Sequence, residues 1–347
     1  MRDAMFPGIE LDVVDTMVGS SRSRVRRVRA GAATVILKEY LQAGEAWARE
    51  TAALSILPPA APAPRLIASR DAPPAVALAD AGTGGSVADA LLGDDPDRAG
   101  EAVVTWARTV ATLHRVTAGS RDAFRRALGE RAGDLPIDES PDNLREPAEM
   151  IVRHCADLGV AVPPDAFDEL VALHTRLGGD GAAALSPADT CPDNNVFTAG
   201  GLVLIDFEGA EWRHIAWDVA YLTVPWPTCW CAWRVPSEVT DAAIAAYQSN
   251  ARFPYAVTPA FDSDLEAART AWAFVSASWF LPKALADDPP LVKQGPRRRA
   301  MIQHRLRLAA GSTQLPALAL LARRLDRTLT ARWGENPLPL APAFRRG

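Results

Sequence analysis

Short apolar runs fill roughly the first eighty positions, and longer helix-spaced runs fill most of the rest. From Arg24 to Arg29, Val25 and Val28 stand among arginines, which predicts a short exposed strand. Gly31 marks a turn. Ala33 to Tyr40 (ATVILKEY) carries β-branched residues and predicts a second strand that closes a hairpin with the first. Gly44 to Leu57 consists mostly of good helix formers, and Trp47, Leu54 and Leu57 fall on one side of it at about 100° per residue. Pro58-Pro59 ends this helix, since proline lacks the amide hydrogen and crowds the preceding turn. Arg65 to Ala68 and Ala75 to Ala79 predict two more strands, and a glycine-rich joint follows from Ala81 to Gly85. Beyond the joint, helices are expected over Glu101 to Val116, Pro147 to Leu158, Asp165 to Leu177, Val239 to Gln248, Asp262 to Phe280 and Leu315 to Arg332. The centre differs: AAALS, NNVFT and LVLID are three short runs, the last two flanking the turn Ala199-Gly200-Gly201, and they predict a small β-structure inside a helical lobe.

With 347 residues, 48% of them apolar, the chain can bury a sizeable core as one large domain or as two packed lobes. A net charge of −5 argues against a nucleic-acid partner, and Arg27 and the run Arg297 to Arg299 read as solvated positive spots. No run of eighteen apolar residues and no leader pattern stands out, so no membrane role is expected and the location is expected to be cytoplasmic. Cys155, Cys191, Cys229 and Cys231 lack Cys-x-x-Cys spacing, and Cys229 and Cys231 are too close to favour pairing with each other. All four are expected as reduced, mostly buried thiols. Of 37 basic residues only Lys38, Lys283 and Lys293 are lysine. Arginine is this chain's default cation, so a lysine in an apolar strand needs its own reason.

The candidate chemistry lies between Leu185 and Leu222. Asp189 and Asn194 sit five residues apart in a loop before the hairpin, and Asp206 is expected to end its second strand. A tight turn brings the strand ends together, so three oxygen-bearing side chains can converge. Magnesium takes hard oxygen ligands and draws only one or two from protein. Asn194 and Asp206 suit that demand, which leaves Asp189 to accept or orient the proton of an attacking hydroxyl.

Asp-x-x-x-x-Asn, a glycine-turn hairpin and Ile-Asp-Phe-Glu, with CPDNNVF and DVAYL around them, resemble the catalytic segment of the aminoglycoside phosphotransferase and choline kinase group. That resemblance implies an α+β, bilobal protein-kinase-like fold, with a small β-rich N-terminal lobe (1–82) and a large, mainly helical C-terminal lobe (83–347). It implies ATP and magnesium as cofactors, Asp189 as the catalytic residue, and Asn194 and Asp206 as metal ligands. It also requires a strand lysine for the phosphates and a helix glutamate to hold it. Lys38 and Glu50 fit, because helical spacing puts Glu50 among Trp47, Leu54 and Leu57. Glu45 points roughly the opposite way, and Glu39 faces away from Lys38 on the strand. Val18 to Val28 resembles the family's phosphate-covering loop, where Gly19, Ser20 and Ser21 would present N–H groups and hydroxyls. Leu78 to Ala81 matches the inter-lobe hinge, where backbone groups such as those of Ala79 and Ala81 meet adenine. The resemblance covers roughly Val18 to Leu222.

One departure bears on activity. The family usually reads His-Gly-Asp where this chain reads Pro187-Ala188-Asp189. Proline cannot supply the histidine's hydrogen bonds, and alanine resists the positive φ that glycine permits. Two readings therefore stand: an ATP- and magnesium-dependent phosphotransferase acting on a small-molecule hydroxyl, or a degenerate kinase-like protein that binds nucleotide without transferring phosphate. A protein kinase is disfavoured, as His-Arg-Asp, Asp-Phe-Gly and Ala-Pro-Glu are all missing. The acceptor stays open among amino-sugar antibiotics, other hydroxylated antibiotics, amino-alcohols and sugars, and no obligate protein partner is indicated. Asp218 is expected to brace the catalytic loop. Trp226, Trp230, Trp233 and His214 read as packing residues before pocket residues. Asp262, Asp264 and Glu266 read as carboxylates favouring a helix start.

Overall fold

The computed structural model describes residues 4–17, 22–42, 44–138, 144–178, 180–290 and 295–345. Gly19, Ser20 and Ser21 lie outside the described residues.

Five antiparallel strands form the N-terminal sheet: β1 Leu11–Met17, β2 Ser23–Ala30, β3 Ala33–Tyr40, β4 Leu66–Asp71 and β5 Pro74–Ala79, in the order β1-β2-β3-β5-β4. The predicted hairpin is β2–β3, with Arg24 opposite Glu39 and Val28 opposite Val35. The first strand, β1, has no counterpart among the sequence expectations, because its pattern exposes Asp12 to Thr16 and anchors only Leu11 firmly. Period-two alternation along β3 separates two environments. Val35 and Leu37 join Leu11, Val28 and Ala75 in a small cluster on one face, covered by Met5 and Phe6. Lys38 and Tyr40 point to the other face, where helix α1 (Glu45–Ile56) lies. That face continues into the main core.

Leu57, extended ahead of Pro58, ends α1 as the proline pair demands. Arg27 is no solvated spot: its guanidinium grips Asp80 at 2.8 and 3.1 Å and the Gly82 carbonyl at 2.7 Å, which ties β2 to the glycine joint. The joint needs glycine for a steric reason. A Cβ on Gly84 would stand 1.8 Å from the Phe197 carbonyl oxygen, where the joint crosses the central hairpin.

The helical lobe contains α2 Val87–Leu92, α3 Pro96–Thr117, α4 Arg121–Ala132, α5 Arg145–Asp157, α6 Ala166–Arg176, α7 Ala216–Val219, α8 Ser237–Ala251, α9 Pro259–Ala286, α10 Arg298–Ala310 and α11 Pro316–Trp333. Every predicted helix is present. Helices α2, α4, α7 and α10 have no counterpart among the sequence expectations. α10 is rich in arginine, and Arg305 is buried among its apolar residues, so its pattern does not read as amphipathic. The central β-structure is two separate ribbons. β6 (Ala183–Ser186) pairs with β9 (Glu211–His214), and β7 (Asn195–Thr198) pairs with β8 (Gly201–Leu204). β9 was not foreseen, because Glu211, Arg213 and His214 are polar yet buried. Asp264 and Glu266 do more than open a helix. Asp264 receives Arg176 at 2.7 Å, and Glu266 receives the Ser312 hydroxyl at 2.7 Å. No helix among the described residues is long and apolar enough to cross a membrane.

Candidate functional site

The site forms where the second face of the sheet meets the β7–β8 ribbon. Lys38 is its centre. The Lys38 Nζ donates to Glu50 Oε2 at 2.8 Å and to Asp206 Oδ1 at 2.5 Å, and Glu208 Oε2 lies 3.0 Å away. The side chains of Lys38 and Glu50 are only 7% and 1% exposed, while that of Asp206 is 36% exposed. Burial pulls the Lys38 pKa down, but Glu50, Asp206 and Glu208 more than offset this and hold the ammonium above its ordinary value. Tyr40 adds a short hydroxyl donation to Glu50. Glu39 faces the opposite side and pairs with Arg26 at 2.6 Å, and Glu45 pairs with Arg49 along α1 at 2.7 Å. Helical spacing thus singled out the glutamate that meets Lys38.

Asp206 lies two residues past the end of β8, not at its end as the sequence suggested. It adopts a left-handed backbone, φ 65. Such conformations cost energy in non-glycine residues and are held only by surrounding structure. The Ile205 N–H donates to the Asn194 carbonyl at 3.0 Å, extending the ribbon by one step and bringing Asn194 alongside Asp206. Arg49 reaches from α1 to the Ala210 carbonyl at 2.9 Å, so the helix that carries Glu50 is also tied to the segment after Asp206.

The Asp189 loop is held from several sides. Trp106 Nε1 donates to the Thr190 carbonyl at 3.0 Å. The buried Asn195 donates to the Cys191 and Pro192 carbonyls at 3.2 and 2.9 Å and accepts the Val87 N–H at 2.9 Å. Asn194 Nδ2 donates to the Asp189 carbonyl at 2.9 Å and to its Oδ2 at 3.2 Å. The amide nitrogen is thus engaged, and the amide oxygen is the group left to ligate a cation. Burial raises the Asp189 pKa, with Asp206 and Asp193 adding to it, while hydrogen bonds from Thr228 and Asn194 pull it down; the net direction is upward. A carboxylate shifted that way is a better proton acceptor.

Ala188 takes φ 66, the left-handed backbone that alanine resists. Three hydrogen bonds hold it there. Its N–H donates to Ser186 Oγ at 2.9 Å, and its carbonyl accepts from Arg213 Nη2 at 3.0 Å and Tyr221 Oη at 2.9 Å. Asp218, fully buried, accepts from Ser186 at 2.9 Å, meets His114 Nε2 at 2.8 Å and receives a short bond from Arg213. Burial would raise the Asp218 carboxyl, but Arg213 and His114 prevail and hold it well below the usual carboxylate range. The expected brace is therefore present, routed through Arg213 and Ser186.

Trp226 and Trp233 are buried in the core, as their packing reading predicted. Trp230 is half-buried and donates to Asp193 Oδ2 at 2.5 Å, beside the loop. His214 is buried and accepts the Ala216 N–H at 3.1 Å, a packing role. At the joint, the Ala79 N–H already donates to the Arg65 carbonyl at 2.9 Å.

The cysteine expectation is corrected. Cys191 and Cys229 form a disulfide, their Cα atoms 5.8 Å apart, while Cys155 and Cys231 are free and buried. Their 38-residue separation carries no local pairing signal; the fold of the Trp226–Trp230 segment against the Asp189 loop brings them together. Sequence reasoning also missed Glu208, although it stands in the quoted Ile-Asp-Phe-Glu. It missed Thr228 too, for which no spacing rule existed.

A small antiparallel sheet carries a buried lysine held by a glutamate from the helix behind it. Below it, a helical lobe presents Asp189, Asn194 and Asp206. This arrangement defines a kinase-like protein of the bilobal kind. The chain belongs to the phosphotransferase enzyme family, whose sequence profile matches residues 18–261, more than half of the chain. Its fold is similar to that of a choline/ethanolamine kinase family protein from Mesorhizobium loti, with 16% identity, 92% of this chain and 94% of that one covered, and a TM-score of 0.52. It is also similar to the macrolide 2'-phosphotransferase from Brachybacterium faecium, with 17% identity, 80% and 90% covered, and a TM-score of 0.50. The ethanolamine kinase of Plasmodium vivax aligns with 12% identity, 91% and 84% covered, and a TM-score of 0.52. No curated protein matches the chain.

Proposed function

We propose that this protein is an ATP- and magnesium-dependent phosphotransferase that phosphorylates a hydroxyl of a small molecule. The observation that carries this reading is the buried Lys38, gripped by Glu50 and directed at Asp206 across the sheet–ribbon junction. Hard oxygen donors from Asp206 and Asn194 fit magnesium, and the buried ammonium fits phosphate oxygens. Bound MgATP would supply the transferable phosphoryl group and the charge neutralisation that such transfer needs. Lys38 would hold phosphate oxygens, with Glu50 and Tyr40 fixing its position. Asp189 would orient the acceptor hydroxyl and take its proton. Gly19, Ser20 and Ser21 would cover the phosphates, and backbone groups near Ala81 would meet the base, since the Ala79 N–H is already engaged. We take the lobes to divide at 82/83, and a cytoplasmic location would suit the use of ATP.

The acceptor is a hydroxylated small molecule. Choline- and ethanolamine-type amino-alcohols and macrolides are the candidates that the similar folds suggest, amino-sugar antibiotics follow from the sequence resemblance, and the antibiotics would make this a resistance enzyme. The degenerate alternative rested on Pro187-Ala188. The three hydrogen bonds that hold Ala188 in place weaken it, because the loop keeps a defined backbone without histidine or glycine.

The test is ADP release from MgATP across an acceptor panel, with thermal shift reporting nucleotide binding. Asp189→Ala should abolish transfer and keep nucleotide binding. Lys38→Ala and Asp206→Ala should lose the magnesium-dependent shift. Transfer at the wild-type rate by Asp189→Ala would refute the role given to that residue. ATP binding without ADP release against any acceptor would favour the degenerate reading.

A further inference from the structure

We propose that Thr228 is a positioning residue for Asp189 and that the Cys191–Cys229 disulfide is the clasp that holds it there, so that the oxidation state of this pair sets the rate of transfer. The inference rests on the phosphotransfer reading above.

Thr228 Oγ1 donates to Asp189 Oδ1 at 2.5 Å across 39 residues of chain. Asn194 donates to the other oxygen, Oδ2, at 3.2 Å. Two donors, one on each oxygen, therefore fix the plane of the carboxylate, and each oxygen keeps a lone pair for an incoming hydroxyl. The bridge lies within the same cluster of atoms. Cys191 Sγ is 2.9 Å from Asp189 Oδ1 and 3.3 Å from Thr228 Oγ1, and Cys229 Sγ is 3.5 Å from Thr228 Oγ1. The disulfide joins the residue directly after Thr228 to the residue two after Asp189, so it ties donor to acceptor across a short span.

The approach to Thr228 is held from below as well. The guanidinium of the buried Arg305 donates to the carbonyls of Pro225, Trp226 and Pro227 at 2.9, 3.3 and 3.2 Å. Trp226 itself takes φ 42, a left-handed conformation that this grip maintains. Arg305 thus fixes the chain on the N-terminal side of Thr228, and the disulfide fixes Cys229 on its C-terminal side.

Reduction by a dithiol breaks the Cys191–Cys229 bond. Two electrons and two protons pass to the sulfurs, giving two thiols, and the dithiol becomes a disulfide. The freed sulfurs separate to non-bonded contact, and Thr228 moves away from Asp189 with Cys229. In a reducing compartment such a bond is transient and responsive, not a permanent staple. A small displacement of a positioning group costs rate more than binding.

The test uses the full chain purified without reductant. Peptide mapping should find the Cys191–Cys229 bridge, and thiol titration of denatured protein should count two thiols before reduction and four after. ADP release from MgATP with water as the acceptor gives kcat and KM for both forms. Reduction should lower kcat about tenfold and leave the KM for ATP within about twofold. Thr228→Val should show the same kcat loss when oxidised and none further on reduction, whereas Thr228→Ser should recover most of the rate and keep the redox response. Cys191→Ala/Cys229→Ala should behave as the reduced wild type, and Cys155→Ala should respond as wild type does. Equal kcat for the two forms, a Thr228→Val loss that adds to the loss on reduction, or no mapped bridge in oxidised protein would each overturn the inference and leave the phosphotransfer reading in place. If no form releases ADP with water or any acceptor, that reading fails and takes the positioning role with it.

Discussion

Replacing Lys38 with methionine should destabilise the protein in a pH-dependent way. In the native chain the Lys38 ammonium stands 2.8 Å from Glu50 Oε2, with the two side chains 7% and 1% exposed. Methionine keeps the apolar stem and removes the charge, so Glu50 is left buried without its cation. Breaking a buried pair from one side costs about 3–5 kcal/mol. Burial already raises the Glu50 pKa while the Lys38 ammonium pulls it down, so losing that ammonium raises it further. A group whose folded pKa is raised is best tolerated below its unfolded pKa, so the penalty grows as pH rises from the ordinary carboxylate range through the raised folded pKa and is constant above that. Lys38→Met/Glu50→Gln removes both charges and should recover most of the loss at pH 8. Asp206, more than one-third exposed, adds little to this balance. Denaturant unfolding of wild type, single and double variants at pH 5 and pH 8 measures it. A single variant as stable as the double at pH 8, or a gap between them that does not widen from pH 5 to pH 8, would refute the reasoning.

The loop geometry gives further expected outcomes. Ala188→Gly should be tolerated and gain up to ~1 kcal/mol by relieving the positive φ, whereas Ala188→Val should lose stability and activity together; unfolding and ADP-release assays check both. Gly84→Ala places a methyl 1.8 Å from the Phe197 carbonyl oxygen, so it should force the joint off the hairpin and lower the melting temperature by several degrees. Asp218→Asn leaves the buried Arg213 short of its counter-charge and should destabilise by about 3–5 kcal/mol, with activity lost through the Ala188 carbonyl that Arg213 holds.

Local order made much of the protein readable. A strand lysine in a chain with two others elsewhere, and a glutamate placed by helical periodicity, led to Lys38 and Glu50 because β-alternation and the 3.6-residue turn are properties of the backbone. The spacing of Asp189, Asn194 and Asp206 about a glycine turn was legible for the same reason: the β7–β8 ribbon spans few residues and its register follows from the turn. The missed strands β1 and β9 show the limit. Their burial is decided by what packs on them, and a polar residue such as Arg213 or His214 enters the core with distant partners, the Ala188 carbonyl for Arg213 and the Asp264 carboxylate for His214.

By itself the sequence determined the two-lobed order, from β-rich start through glycine joint to helical remainder, and the identity of the charged residues at its centre. Tertiary structure decided how those residues are held. Ala188 keeps a left-handed backbone because Arg213 and Tyr221 reach its carbonyl. Thr228 meets Asp189, and Cys191 meets Cys229, across nearly forty residues. Contacts at that range leave no periodic trace in a chain, since the entropy of closing the loop is offset by the packing of the whole lobe and not by any local pattern.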